Sequence, residues 1–146
     1  MKTHVSLLFV LLMIGATIPA ATVSAAVVTH HISPTYTSLY ATNYHPPKNV
    51  TYYIGGRVLY RYARNYSPQN VPNSWVHIYC RVYKNRTKSW EPWKFWRMCK
   101  TNYYGSFSHD VKGVGHAQFK AVFPETVSGS NTLLSSTSNV IDVYMG

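Results

Sequence analysis

From Lys84 to Lys100 the chain reads Lys-Asn-Arg-Thr-Lys-Ser-Trp-Glu-Pro-Trp-Lys-Phe-Trp-Arg-Met-Cys-Lys. Six cations and one acid stand beside three of the protein's 4 tryptophans. Aromatic rings stack on the apolar faces of sugars or bases, or sit at a membrane interface. Neighbouring ammonium and guanidinium groups attract phosphate, sulfate or carboxylate. The competing account puts the tryptophans in a small core, with the cations keeping the outer face soluble.

Other chemistry is sparse. Glu91, Asp110, Glu125 and Asp142 are the 4 acidic residues, too few for a paired-carboxylate catalyst or an all-oxygen calcium cage. His30, His31, His45, His77, His109 and His116 show no metal-ligand spacing, and His30-His31 reads as an exposed N-terminal segment. His109-Asp110 lies near many serines, but no nucleophile elbow accompanies it. Gly55-Gly56 sits inside a strand pattern and Gly113 to Gly115 precedes one, so neither cradles phosphate. No catalytic residue, no metal site and no cofactor is therefore expected. The expectation is a non-enzyme.

The composition agrees with a binding surface. Of 146 residues, 14 are Lys or Arg and 4 are Asp or Glu, a net +10. Charged residues make up 12%, against about 25% in an average protein. The 15% aromatic content, with 13 tyrosines, excludes a disordered polybasic tail. The field of such a chain favours polyanions at low salt.

Residues 1–25 read as a secretory signal peptide: Met1-Lys2, an apolar run Val5 to Ile14, then small residues with cleavage after Ala25. Ser24-Ala25-Ala26 offers a site one residue later. The apolar run is shorter than the about 20 residues that span a bilayer. Loss of Lys2 takes the net charge from +10 to +9. Export to a secreted or cell-surface location makes a disulfide between Cys80 and Cys99 the expected state, with two buried thiols as the alternative. Asn49, Asn65 and Asn85 open Asn-x-Ser/Thr sequons, which carry glycans only in a host with that machinery.

These groups need strands to position them. Period-two alternation predicts strands at Tyr52 to Arg64, Ser74 to Tyr83, Trp93 to Lys100, Ser106 to Val111, Ala117 to Phe123 and Asn139 to Tyr144. A weaker one covers Thr37 to Tyr44. Turn material separates them, including Lys84 to Pro92 and Pro124 to Ser138. About seven short strands imply an all-β sandwich or barrel. Residues 26–48 form an N-terminal arm with a candidate first strand, and 49–146 the domain.

If Cys80 faces Cys99 across an antiparallel pair, Tyr79 lies opposite Lys100, Arg81 opposite Met98 and Tyr83 opposite Trp96. Lys94 continues this aromatic and basic face. Val76, Ile78, Val82, Trp93 and Phe95 collect on the other face; Arg97 joins them and demands a bulge or a snorkelling side chain. The candidate binding residues are Tyr79, Arg81, Tyr83, Lys88, Trp90, Lys94, Trp96 and Lys100.

Several segments are familiar together. Gly56-Arg57-Val58 is followed by Val71-Pro72-Asn73-Ser74-Trp75-Val76-His77-Ile78, then Trp93, Thr101-Asn102 and Gly105-Ser106-Phe107-Ser108. Phe119-Lys120-Ala121-Val122-Phe123, Ser136-Thr137-Ser138 and Val143 complete the series. The chain resembles the immunoglobulin-like modules of bacterial and archaeal secreted or cell-surface proteins over Asn49 to Met145. Asn102 stands where those modules usually have aspartate and Phe119 where they have tyrosine; a disulfide is unusual in them, and here one module stands alone. The resemblance implies an immunoglobulin-like β-sandwich of about seven strands.

The function expected is a non-catalytic adhesion-type module binding an acidic glycan, a cell-wall polymer or another polyanion. Two alternatives are a structural subunit that donates its arm to a neighbour's sheet, and a cationic protein acting on anionic membrane surfaces.

Overall fold

Alternation of side chains across each strand organises the chain. The structure is a computed structural model describing residues 30–146, so the signal peptide and the Ala25 cleavage site lie outside the described residues. Residues 31–146 form one unit, all β, with no helix among the described residues. In order the strands are β1 (His31–Ser33), β2 (Thr35–Ala41), β3 (Tyr52–Tyr60), β4 (Gln69–Asn70), β5 (Trp75–Lys84), β6 (Ser89–Trp90) and β7 (Lys94–Lys100). There follow β8 (Ser106–Val111), β9 (Ala117–Phe123), β10 (Thr126–Ser128), β11 (Asn131–Leu133), β12 (Ser136–Thr137) and β13 (Ile141–Val143).

One antiparallel sheet runs β2-β3-β8, with β4 sharing the β8 side of β3. The other runs β7-β5-β9-β13; β6 extends β5 at the hairpin and β12 extends the β13 side of β9. A small third sheet, β1-β11-β10, includes a parallel β1–β11 pair. The inward residues of both large sheets share one buried cluster, including Ile54, Val58, Ile78, Val111, Phe119 and Phe123. This arrangement is compatible with a β-sandwich.

Alternation explains the inner face. In β5, Val76, Ile78 and Cys80 are buried while His77, Tyr79 and Arg81 are half-buried on the outside. In β9, Ala117, Phe119, Ala121 and Phe123 are buried between Gln118, Lys120 and Val122. Gly56 of β3 has a steric reason: a Cβ there would collide with the Ser38 carbonyl oxygen and the Phe107 ring.

The disulfide expected between Cys80 and Cys99 is not present; both are buried free thiols. Cys99 pairs with Val76, whereas Cys80 pairs with Lys94. The four residues from Val76 to Cys80 span about 13 Å of strand, well beyond the ~7 Å Cα limit for a disulfide. Burial, with the Glu91 carboxylate adding to it, pushes the Cys80 thiol up to about 11. Burial also raises Cys99.

The same register replaces the sequence-based pairing of β5 with β7. Trp75 faces Lys100, His77 faces Met98 and Tyr79 faces Phe95. The register shifts between Ile78 and Tyr79, whose partners are Arg97 and Phe95. Trp96 has no opposite number: it is the extra residue of a bulge, placed mid-strand rather than at the hairpin end.

Two further segments differ from the sequence pattern. The strand predicted to reach Arg64 ends at Tyr60; one more ladder-like bond, from the Arg61 N–H to the Pro34 carbonyl, follows before the chain turns at Ala63 to Tyr66. The stretch Pro124 to Ser138, read as turn material, contains β10, β11 and β12. β11 pairs with β1, about a hundred residues away, and with β10, while β12 pairs with β9; local pattern reveals neither the β1 nor the β9 pairing.

Candidate binding face

The outer surface of the β7-β5-β9-β13 sheet carries a band of rings. Along β5 it presents Trp75, His77, Tyr79, Arg81 and Tyr83. The neighbouring strands set Lys120 beside Tyr79, Gln118 beside Arg81 and Asp142 beside Gln118. Phe95 packs edge-on against His77 and Tyr79, with centroids 5.7 and 6.0 Å apart. At the far end Tyr83, Trp90 and Tyr144 surround His116, with centroid distances of 5.3, 4.7 and 5.2 Å.

Cations are interleaved with these rings. The Arg81 guanidinium lies 5.1 Å from the Trp90 centroid and 4.7 Å from that of Trp93. Lys120 Nζ is 4.5 Å from Trp93 and 5.9 Å from Tyr79; Lys100 Nζ is 5.4 Å from Trp75. These are cation–π distances, worth about 0.5–1 kcal/mol at exposed sites. A polar chain crosses three strands beneath them. Arg81 donates from Nε and Nη2 to Gln118 Oε1 at 2.8 and 2.6 Å. Gln118 Nε2 donates to Asp142 Oδ2 at 2.9 Å, and His116 Nε2 lies 2.7 Å from Asp142 Oδ1. Arg81 is thus partly used within the protein, whereas the Lys100 and Lys120 ammonium groups face the rings through cation–π contacts.

Five of the eight residues expected at the site meet here: Tyr79, Arg81, Tyr83, Trp90 and Lys100. Lys94 does not join them; it lies 3.5 Å from Glu91, whose carboxylate also takes Lys84 at 2.9 Å. The Lys84 hydrogen bond, then the charges of Lys84 and Lys94, hold the Glu91 carboxyl below its ordinary value despite some desolvation. Lys88 sits at the exposed hairpin tip with a left-handed φ of 52°. Trp96 points to the opposite side of β7, against Phe119 at 5.5 Å and His109 at 5.2 Å. The cation run 84–100 therefore contributes one ammonium, Lys100, to the band.

Sequence reasoning missed Lys120, Gln118, Asp142, His116, Tyr144, Trp75 and His77, and it assigned Trp93 and Phe95 to the apolar face. Phe95 is 55% exposed on the outer surface. The period-two pattern of Ala117 to Phe123 already set Gln118 and Lys120 outward; what it lacked was the pairing of β9 with β5. The sequon residues Asn49, Asn65 and Asn85 are all exposed. Among the described residues no three His, Cys, Asp or Glu side chains converge to hold a metal. No protein-family model matches the chain, and comparison with curated proteins and with solved structures gives no significant match either.

Proposed function

We propose that this protein is a secreted or cell-surface, non-catalytic binding module with an immunoglobulin-like β-sandwich, and that its outer β7-β5-β9-β13 face takes an acidic glycan or cell-wall polymer. Strand order supports the fold reading. The sets β2-β3-β8 and β7-β5-β9-β13 correspond to the A-B-E and C′-C-F-G sheets of such domains. The chain lacks the inter-sheet disulfide of antibody domains, and its buried cysteines serve as small apolar side chains.

The observation that carries the ligand reading is half-buried Trp93, in the loop before β7, approached by both Lys120 and Arg81. A flat indole takes the C–H face of a pyranose ring. Adjacent cations take its carboxylate or sulfate, and the Gln118–Asp142 pair offers amide and carboxylate groups to hydroxyls. A purely electrostatic polyanion site needs neither the rings nor Asp142.

A glycan and cell-wall polymer array with the full chain tests this. Binding to uronate-bearing or sulfated polymers, lost in Trp93→Ala plus Lys120→Ala, is the expected result. Equal binding by the double variant would overturn the reading.

A further inference from the structure

A second feature lies at the Trp75 end of that face. Asn70, Asn73, Ser74, Thr126, Ser128 and Asn131 line a cavity of about 500 Å³. They come from β4, the turn before β5, and the β10–β11 hairpin. Buried Val71 and Leu133, with Tyr60, add an apolar wall, and no lining residue carries a formal charge. A smaller cleft of about 280 Å³ shares Asn73, Ser74 and Thr126 with the cavity. Its other side is Trp75, His77 and Met98, so the cavity opens toward the ring-bearing face.

Several of these polar groups have capacity to spare. Asn131 Oδ1 is buried with no partner in the protein, a state that carries the full desolvation cost of an acceptor. Arg57 Nη2 donates to Asn70 Oδ1 at 2.7 Å and so fixes the orientation of that amide. Ser74 Oγ and Thr126 Oγ1 donate to the Pro72 and Pro124 carbonyls at 2.9 and 3.0 Å, which leaves their lone pairs as acceptors. The cavity thus presents fixed amides and hydroxyls beside an apolar wall.

We propose that the cavity is a subsite for an uncharged, hydroxyl-rich sugar ring. Hydroxyls both donate and accept, which suits a mixed lining; a charged ring would meet no charged lining residue, and the neighbouring Arg57 guanidinium already donates to Asn70 and the Tyr104 carbonyl. The volume falls within the ~300–1,000 Å³ typical of ligand pockets. Continuity with the face makes the ring one unit of the polymer bound there; this last point rests on the glycan reading, while the cavity's own chemistry does not.

The test is an amide NMR titration of the isotope-labelled full chain with methyl glucoside, methyl galactoside and N-acetylglucosamine, each to tens of millimolar. At least one sugar is expected to give saturable shifts at the side-chain amides of Asn70, Asn73 and Asn131. In Asn131→Leu, affinity should fall at least tenfold while the melting temperature holds or rises, since a near-isosteric apolar side chain removes the unpaired acceptor. The proposal fails if no sugar shifts these resonances, or if Asn131→Leu binds as well as the parent. Acidic-polymer binding with no monosaccharide binding removes this subsite and leaves the face; the reverse result removes the face and leaves the subsite.

Discussion

Lys120 Nζ lies 4.5 Å from the ring centroid of Trp93, joining β9 to the loop before β7 across the intervening β5. Neither residue is near the other in sequence, and neither lies on the predicted aromatic and basic face. In a double-mutant cycle, Trp93→Ala and Lys120→Ala should couple by about 0.5–1 kcal/mol in urea unfolding. Each single variant should weaken polymer binding about tenfold or more. Additive unfolding energies would show that the contact is not energetically real.

Trp96→Ala separates the two faces of β7. Half-buried against Phe119, Trp96 should contribute about 2 kcal/mol to stability. Its removal should lower the urea midpoint and leave polymer affinity unchanged. An affinity loss with unchanged stability would restore Trp96 to the binding surface.

The two cysteines should react as thiols only when the chain opens. A thiol-reactive dye should label both in denaturant and neither rapidly in native buffer. Reductant should leave the melting temperature unmoved, whereas loss of a disulfide usually costs about 2–5 kcal/mol. A protein that labels only after reduction would contradict the observed register.

Alkaline pH should weaken the fold. The Cys80 thiol rises from 9.0 to about 11 through burial, then through Glu91, so the unfolded chain releases this proton first. Its contribution is complete below pH 9.0 and is lost as pH climbs toward about 11. Burial raises Tyr52 as well, in the same direction. Urea midpoints measured across this range should fall with pH, and less steeply in Cys80→Ala. A midpoint that rises would reverse the sign of the argument.

Gly56→Ala should cost about 2–3 kcal/mol because the added methyl meets backbone of β2. Gly115→Ala, with open space around its Cβ position, is the control and should be near neutral. Equal denaturation midpoints for the two variants would argue against the β2–β3 approach.

Most of the large strands were legible in the sequence because one face of each is buried, which imposes a period of two. Ser106 to Val111 and Ala117 to Phe123 match their strands to the residue. The site was half legible for a related reason. Alternation gave the outward direction of Tyr79, Arg81 and Tyr83, but β9 supplies Lys120 and Gln118 through a pairing that no local pattern encodes. The assumed Cys80–Cys99 bond then displaced the register of β7. Arg97 on the apolar side signalled the bulge, yet only the pairing shows that Trp96 is the residue it turns inward.

That bulge has a consequence for assembly. Among the described residues β7 pairs with β5 alone, so its other side is an open edge where a second copy can add a strand. An extra residue at Trp96 breaks the even spacing of free backbone groups along that edge, while Lys94, Arg97 and Lys100 place like charges beside it. A β-sheet with an exposed, ring-covered face is a template for aggregation unless its borders are spoiled. Here the residue that keeps one more ring off the aromatic face also spoils the border.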